Sequence, residues 1–154
     1  MNNTTDILNQ WLQELNSSSA APLSLDQDNR CFMATSSNIE LMICGEPLSE
    51  NFTVLLHICD LAEPVDTALF KALLALNLKP ANTYGGALGY DRDNQSLILS
   101  YSHEYQGITA REFGNMLENL SHAALSLRKH INSLLEESGT PAQARQHPLH
   151  MVRI

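Results

Sequence analysis

One pattern late in the chain limits what the rest can become. Thr109, with Glu112 three residues on, forms a capping box that opens a helix. Phe113, Leu117, Leu120, Ala124, Leu127, Ile131 and Leu134 then recur at steps of three and four, and the helix ends near Ser138 and Gly139, before Pro141. A stripe of that length has to lie on an apolar surface, and the strand-like runs upstream are its partners.

Four strand candidates come first. Residues 22–26 alternate weakly, with Leu23 and Leu25 on one side. Residues 30–36 are short and mixed. Residues 39–45 put Ile39, Leu41 and Ile43 on one face and Met42 and Cys44 on the other. Residues 51–61 are apolar on both faces, which marks a central strand. The links between them are short and turn-rich, so the pairs are expected to be antiparallel hairpins. Residues 83–91 and 95–105 read as a further hairpin, in which Leu97, Leu99 and Tyr101 alternate with Ser96, Ser100 and Ser102.

Two more helices complete the pattern. Residues 5–16 carry Ile7, Leu8, Trp11, Leu12 and Leu15 on one face. Residues 64–77 read as a helix opened by Pro64 and ended by Asn77 and Pro80. Leu69, Leu73 and Leu76 form its stripe, with Phe70 and Leu74 beside it. A helix this apolar has two faces to bury, and a second copy of the chain is the simplest partner for one of them. The expectation is an α+β domain over residues 1–138. It has one twisted antiparallel sheet of about five strands and three helices, in the order α-β-β-β-α-β-β-α. Residues 139–154, with two prolines and no period, are expected to form a flexible tail.

Composition narrows the function. At 44% hydrophobic and 17% charged the chain is globular in character. No apolar run approaches the ~20 residues of a membrane span, and the N-terminus lacks the basic start and apolar block of a secretory signal. Residues 1–137 hold seven basic and seventeen acidic residues, a net charge of −10. That field would repel a phosphate backbone, which argues against a nucleic-acid partner. Cys31, Cys44 and Cys59 have no close pairing in sequence and are read as reduced, buried thiols.

Candidate chemistry is sparse. Gly85, Gly86 and Gly89 have the wrong spacing for a phosphate loop, no Gly-Lys pair follows, and a turn and strand come next instead of a helix. They are read as places where backbone bends or passes close to a neighbouring helix. His122 and His130 lie two turns apart with no carboxylate shell. His57 and Cys59 lack an orienting third group. Asp91, Asp93 and Asn94 lack the rest of a calcium loop and read as a turn. No catalytic, cofactor-binding or metal-ligating residues are assigned, and the chain is not expected to be an enzyme.

The layout of residues 5–138 resembles the class I type III secretion chaperones, the family that includes the Tir and Yop chaperones. The most specific stretch is residues 70–101. There an apolar helix stops at Leu76-Asn77, a Gly-containing strand carries Leu88-Gly89, an acidic turn follows, and "LIL" at residues 97–99 opens the next strand. The amphipathic helix from Phe113 to Leu135 also fits, while the tail is an extra. The resemblance implies a virulence-associated homodimer in the bacterial cytoplasm. Such a dimer binds the N-terminal segment of a secreted effector, keeps it non-globular and delivers it to the secretion apparatus, with the secretion ATPase as a further partner. It implies no cofactor and no membrane or nucleic-acid partner.

An unfolded segment can be held by strand addition at a sheet edge, with side chains entering shallow apolar pockets. On that basis the effector-binding surface is expected at Trp11, Leu12, Leu15, Leu23, Leu25, Phe32 and Met33. The dimer interface is expected at Leu69, Phe70, Leu73 and Leu74 on the second helix. The alternatives are a protein-binding adaptor of the same fold with no secretion role, or a small-molecule enzyme using a pocket beside His57 and Cys59.

Overall fold

The computed structural model describes residues 4–16, 21–139 and 152–153. The chain begins with α1 (Thr4–Leu15) and continues through β1 (Arg30–Ala34), β2 (Glu40–Gly45) and β3 (Asn51–Asp60). Next come α2 (Thr67–Leu76), a single turn α3 (Pro80–Thr83), β4 (Ala87–Asp91), β5 (Ser96–Glu104), the 29-residue α4 (Ala110–Ser138) and β6 (Val152–Arg153). The sheet order is β4-β5-β3-β2-β1-β6. The five longer strands pair antiparallel, as expected, and only β6 joins in parallel, on β1. The expected flexibility of residues 139–154 falls mostly outside the described residues; the two that are paired form β6.

The sheet owes its two unlike faces to strand alternation. Phe52, Val54 and Leu56 of β3, Leu41 and Ile43 of β2, Cys31 and Met33 of β1, and Leu97 and Leu99 of β5 are all buried on one side. Leu8, Trp11 and Leu12 of α1 close over them, together with the α4 stripe from Phe113 to Leu135. At one end Trp11, Phe52, Tyr105 and Phe113 form an aromatic cluster, with ring centroids 5.2 Å apart for Trp11–Phe113 and 5.4 Å for Phe52–Phe113. α4 starts where the capping box predicts: Thr109 Oγ1 accepts the Glu112 N–H, and the Glu112 carboxylate accepts the Thr109 N–H at 2.8 Å.

Three local expectations are corrected. Residues 22–26 form no strand: the Leu25 N–H donates to Asn9 Oδ1 of α1, the Asp26 N–H turns back to the Arg30 carbonyl, and Asp26 Oδ1 closes the same turn by accepting from the N–H groups of Asp28 and Arg30. α2 does not open at Pro64. Asp66 caps it, accepting from the Ala68 N–H, and Thr67 is its first residue. The stretch read as strand from residue 83 begins instead as the end of α3, with Tyr84 left-handed at its C-cap.

Candidate functional site

The pocket beside His57 and Cys59, the enzymatic alternative, is not assembled for nucleophilic chemistry. Within β3, His57 Nε2 is 2.8 Å from Asp60 Oδ1, a carboxylate partner not expected from the sequence. Burial pushes the Cys59 thiol up to about 11, with Asp60 adding to the rise and Arg128 opposing it. Cys31 is pushed up to about 11 as well, first by burial and then by Asp26. A nucleophilic thiol requires the opposite shift. Among the described residues no group of three His, Cys, Asp or Glu side chains is arranged to hold a metal.

The glycines do structural work. Gly85 has φ +82°, the left-handed region that glycine enters freely. A Cβ on Gly86 would lie 2.6 Å from the Ser100 carbonyl oxygen, so β4 meets β5 here only without a side chain. The close neighbour is thus a strand and not the helix expected. Asp91 Oδ1 accepts from the N–H groups of Asp93 and Asn94, which makes the DxDN run a turn.

Among the described residues the fold leaves two apolar patches open, apart from the isolated Leu48 in the turn before β3. The first is the sheet face opposite the helices. Phe32 pairs with Met42 and Met42 with Leu55 across β1, β2 and β3, and His57 pairs with Ile98 of β5. These side chains line a shallow hollow of about 180 Å³ rimmed by Asp91 and Asn94. Phe32 is 44% exposed, while Met42, Leu55 and Ile98 are half-buried. The second is the outer side of α2 and the segment after it, where Leu74 is 62% exposed, Leu78 82% and Tyr84 44%. Phe70 packs edge-on against Tyr90 of β4 at 5.4 Å, and the Tyr90 hydroxyl donates to Glu63.

These placements sort the expected residues. Trp11, Leu12, Leu23 and Met33 are core residues, enclosed by the aromatic cluster and the α4 stripe, and have no free surface to offer a partner. Leu15 and Leu25 are half-buried at the margin of that core, and Phe32 alone of the seven is exposed. On α2, Leu69 and Leu73 turn inward and are buried, Phe70 is half-buried, and Leu74 faces out. Met42, Leu55, Ile98, Leu78 and Tyr84 were missed. The signal for the first two was present in the sequence: Met42 lies on the face of its strand opposite Ile39, Leu41 and Ile43, and residues 51–61 are apolar on both faces.

Residues 6–128 match the Tir chaperone protein (CesT) family. The chain belongs to this family. A comparison with curated proteins finds no match. Among solved structures, this CesT-family chain is similar to a chain of the ExsC–ExsE complex, with a TM-score of 0.69 at 18% identity, covering 82% of this chain and 95% of that one. It is similar to a chain of the HopA1–SchA chaperone-effector complex, with a TM-score of 0.65 at 17% identity and coverage of 80% and 94%. It is also similar to YbjN from E. coli, described as a putative transcription regulator, with a TM-score of 0.53 at 14% identity and coverage of 90% and 95%. At these identities the likenesses show the fold. The family is a chaperone family, and no helix among the described residues is long and apolar enough to cross a membrane.

Proposed function

We propose that this CesT-family chain is a type III secretion chaperone of the bacterial cytoplasm. It binds the N-terminal segment of one or more secreted effectors, keeps that segment non-globular and delivers it to the secretion apparatus. The observation that carries the reading is the open sheet face: a row of Phe32, Met42 and Leu55 left uncovered in a domain whose other face is fully packed. Apolar rows of this kind suit the spaced side chains of an extended segment, whose backbone is satisfied by strand pairing. Family membership and the chaperone-effector complex among its structural relatives support the same reading. In this proposal two copies associate through the outer side of α2, at Phe70 and Leu74, extended to Leu78 and Tyr84.

The test is co-purification from the native cell. The tagged chain is expected to recover a protein through that protein's N-terminal segment. Phe32→Thr keeps a strand-forming residue while removing the ring, and should lower recovery at least about fivefold with an unchanged melting temperature. Capture of a folded domain in place of an N-terminal segment would favour an adaptor role. Recovery that ignores the Phe32 substitution would remove the open face from the proposal.

A further inference from the structure

A strand at the end of a sheet presents a row of unpaired backbone groups, and an extended client could add to it. β1 would be such an edge, but part of it is occupied. Val152 and Arg153 pair with Met33 and Ala34 in parallel. A parallel partner cannot be supplied by a tight turn and needs a connection of a dozen or more residues, which the stretch between Ser138 and Val152 provides. Charge favours the same docking. Residues 1–137 carry −10, whereas the segment after Glu137 has Arg145 and Arg153 and no acidic residue. β1 also carries Phe32, so a chain on this edge runs alongside the hollow on the open face.

We infer that the C-terminal segment is a built-in stand-in for an extended client, holding the outer edge of β1 until a client strand displaces it. This rests on the chaperone reading and adds a regulation to it. The relative lengths set the competition. β6 spans two residues and β1 five, so a segment able to pair along the whole of β1 gains ladder bonds that β6 lacks. Tethering compensates for the short ladder, because a covalent connection of this length holds its end at an effective concentration on the order of millimolar. The edge is thus closed to stray strands and open to a longer or tighter one.

The test compares the full chain with Val152→Pro, which removes a pairing N–H, and with a second variant lacking residues 152–154. Far-UV circular dichroism confirms that each is folded. Two measurements are made: hydrogen exchange at the Ala34 amide, which faces β6 while its neighbours Met33 and Thr35 face β2, and fluorescence anisotropy of a labelled peptide of residues 146–154 supplied in trans. Both variants should exchange at this amide at least about tenfold faster than the full chain and bind the peptide at least about tenfold more tightly. If either measurement is the same in all three proteins, the inference is overturned. Neither involves a client, so failure here leaves the chaperone reading standing, and failure to co-purify a client leaves the edge measurements unaffected.

Discussion

Arg128 shows how a single side chain can hold helix and sheet in register. The pairing of β3 with β5 shifts between His57 and Cys59, and at that irregularity Arg128 reaches down from α4. Its Nε donates to the Ile58 carbonyl at 2.6 Å, Nη2 to His57 O at 2.9 Å and Nη1 to Asn38 O at 3.1 Å. One planar fork thereby satisfies three carbonyls from two segments. Arg128→Met should cost about 2–4 kcal/mol in urea denaturation, and Arg128→Lys should recover less than half of that, since an ammonium cannot span the three acceptors. Nothing in the sequence distinguished this arginine, because its partners are backbone atoms seventy and ninety residues away. Of the cysteines expected to be buried, Cys31 is, whereas Cys44 and Cys59 are half-buried. With Cys31 and Cys59 raised from 9.0 to about 11, their thiolate fraction near neutral pH falls about 100-fold. Alkylation in the folded protein should be slower than in urea by at least that factor, and rapid labelling of Cys59 would reopen the enzymatic alternative.

At the scale of elements, periodicity predicted most of what formed. α1, α4 and the strands β1, β2, β3 and β5 all fall within a residue or two of their expected spans, because each buries one face and its pattern records which. The segment at residues 22–26 shows the limit of such reasoning. Its alternation is that of a strand and Leu23 is buried like a strand residue, yet the Asn9 side chain takes the Leu25 N–H and the Asp26 N–H turns back to Arg30, and neither bond leaves a trace in a hydrophobic pattern. α2 was read as a helix with its stripe at Leu69, Leu73 and Leu76, but which side of it the rest of the domain covers is set by packing and not by the pattern. With Asp66 as the cap, Leu69 and Leu73 face the core and Leu74 faces out. The proposed dimer is therefore tested at Leu74. Leu74→Glu should weaken self-association at least about tenfold in light scattering while leaving the melting temperature within a few degrees. Leu73→Glu would place a charge in the core and unfold the domain. A Leu74→Glu protein that remains dimeric at the same concentrations would move the interface elsewhere.

Across the whole molecule, the candidate site was only partly readable, for a geometric reason. The sequence shows that strands 39–45 and 51–61 have apolar residues on both faces, but not which face the helices cover. The long stripe of α4 and the Trp11 side of α1 both go to the same face, and this moves Trp11, Leu12, Leu23 and Met33 from the expected surface into the interior while stranding Phe32, Met42 and Leu55 outside. Trp11→Ala should accordingly lower stability by about 3–5 kcal/mol, measured by urea unfolding, through loss of its contacts with Phe113, Phe52 and Tyr105. A variant that folds as well as the parent and loses only its client would return Trp11 to the surface. At the far rim of the sheet, the Asn77 amide accepts the Leu88 N–H at 2.7 Å and donates to the Leu88 carbonyl at 3.2 Å. A lone side chain here does the work of an absent neighbouring strand. Copies that meet at this rim find the backbone at Leu88 already taken and must join through side chains, and an arrangement in which each copy offers the other the same patch is used up at two. In the proposed dimer the amide would thus help to keep the assembly finite, where a bare rim would permit an endless ribbon.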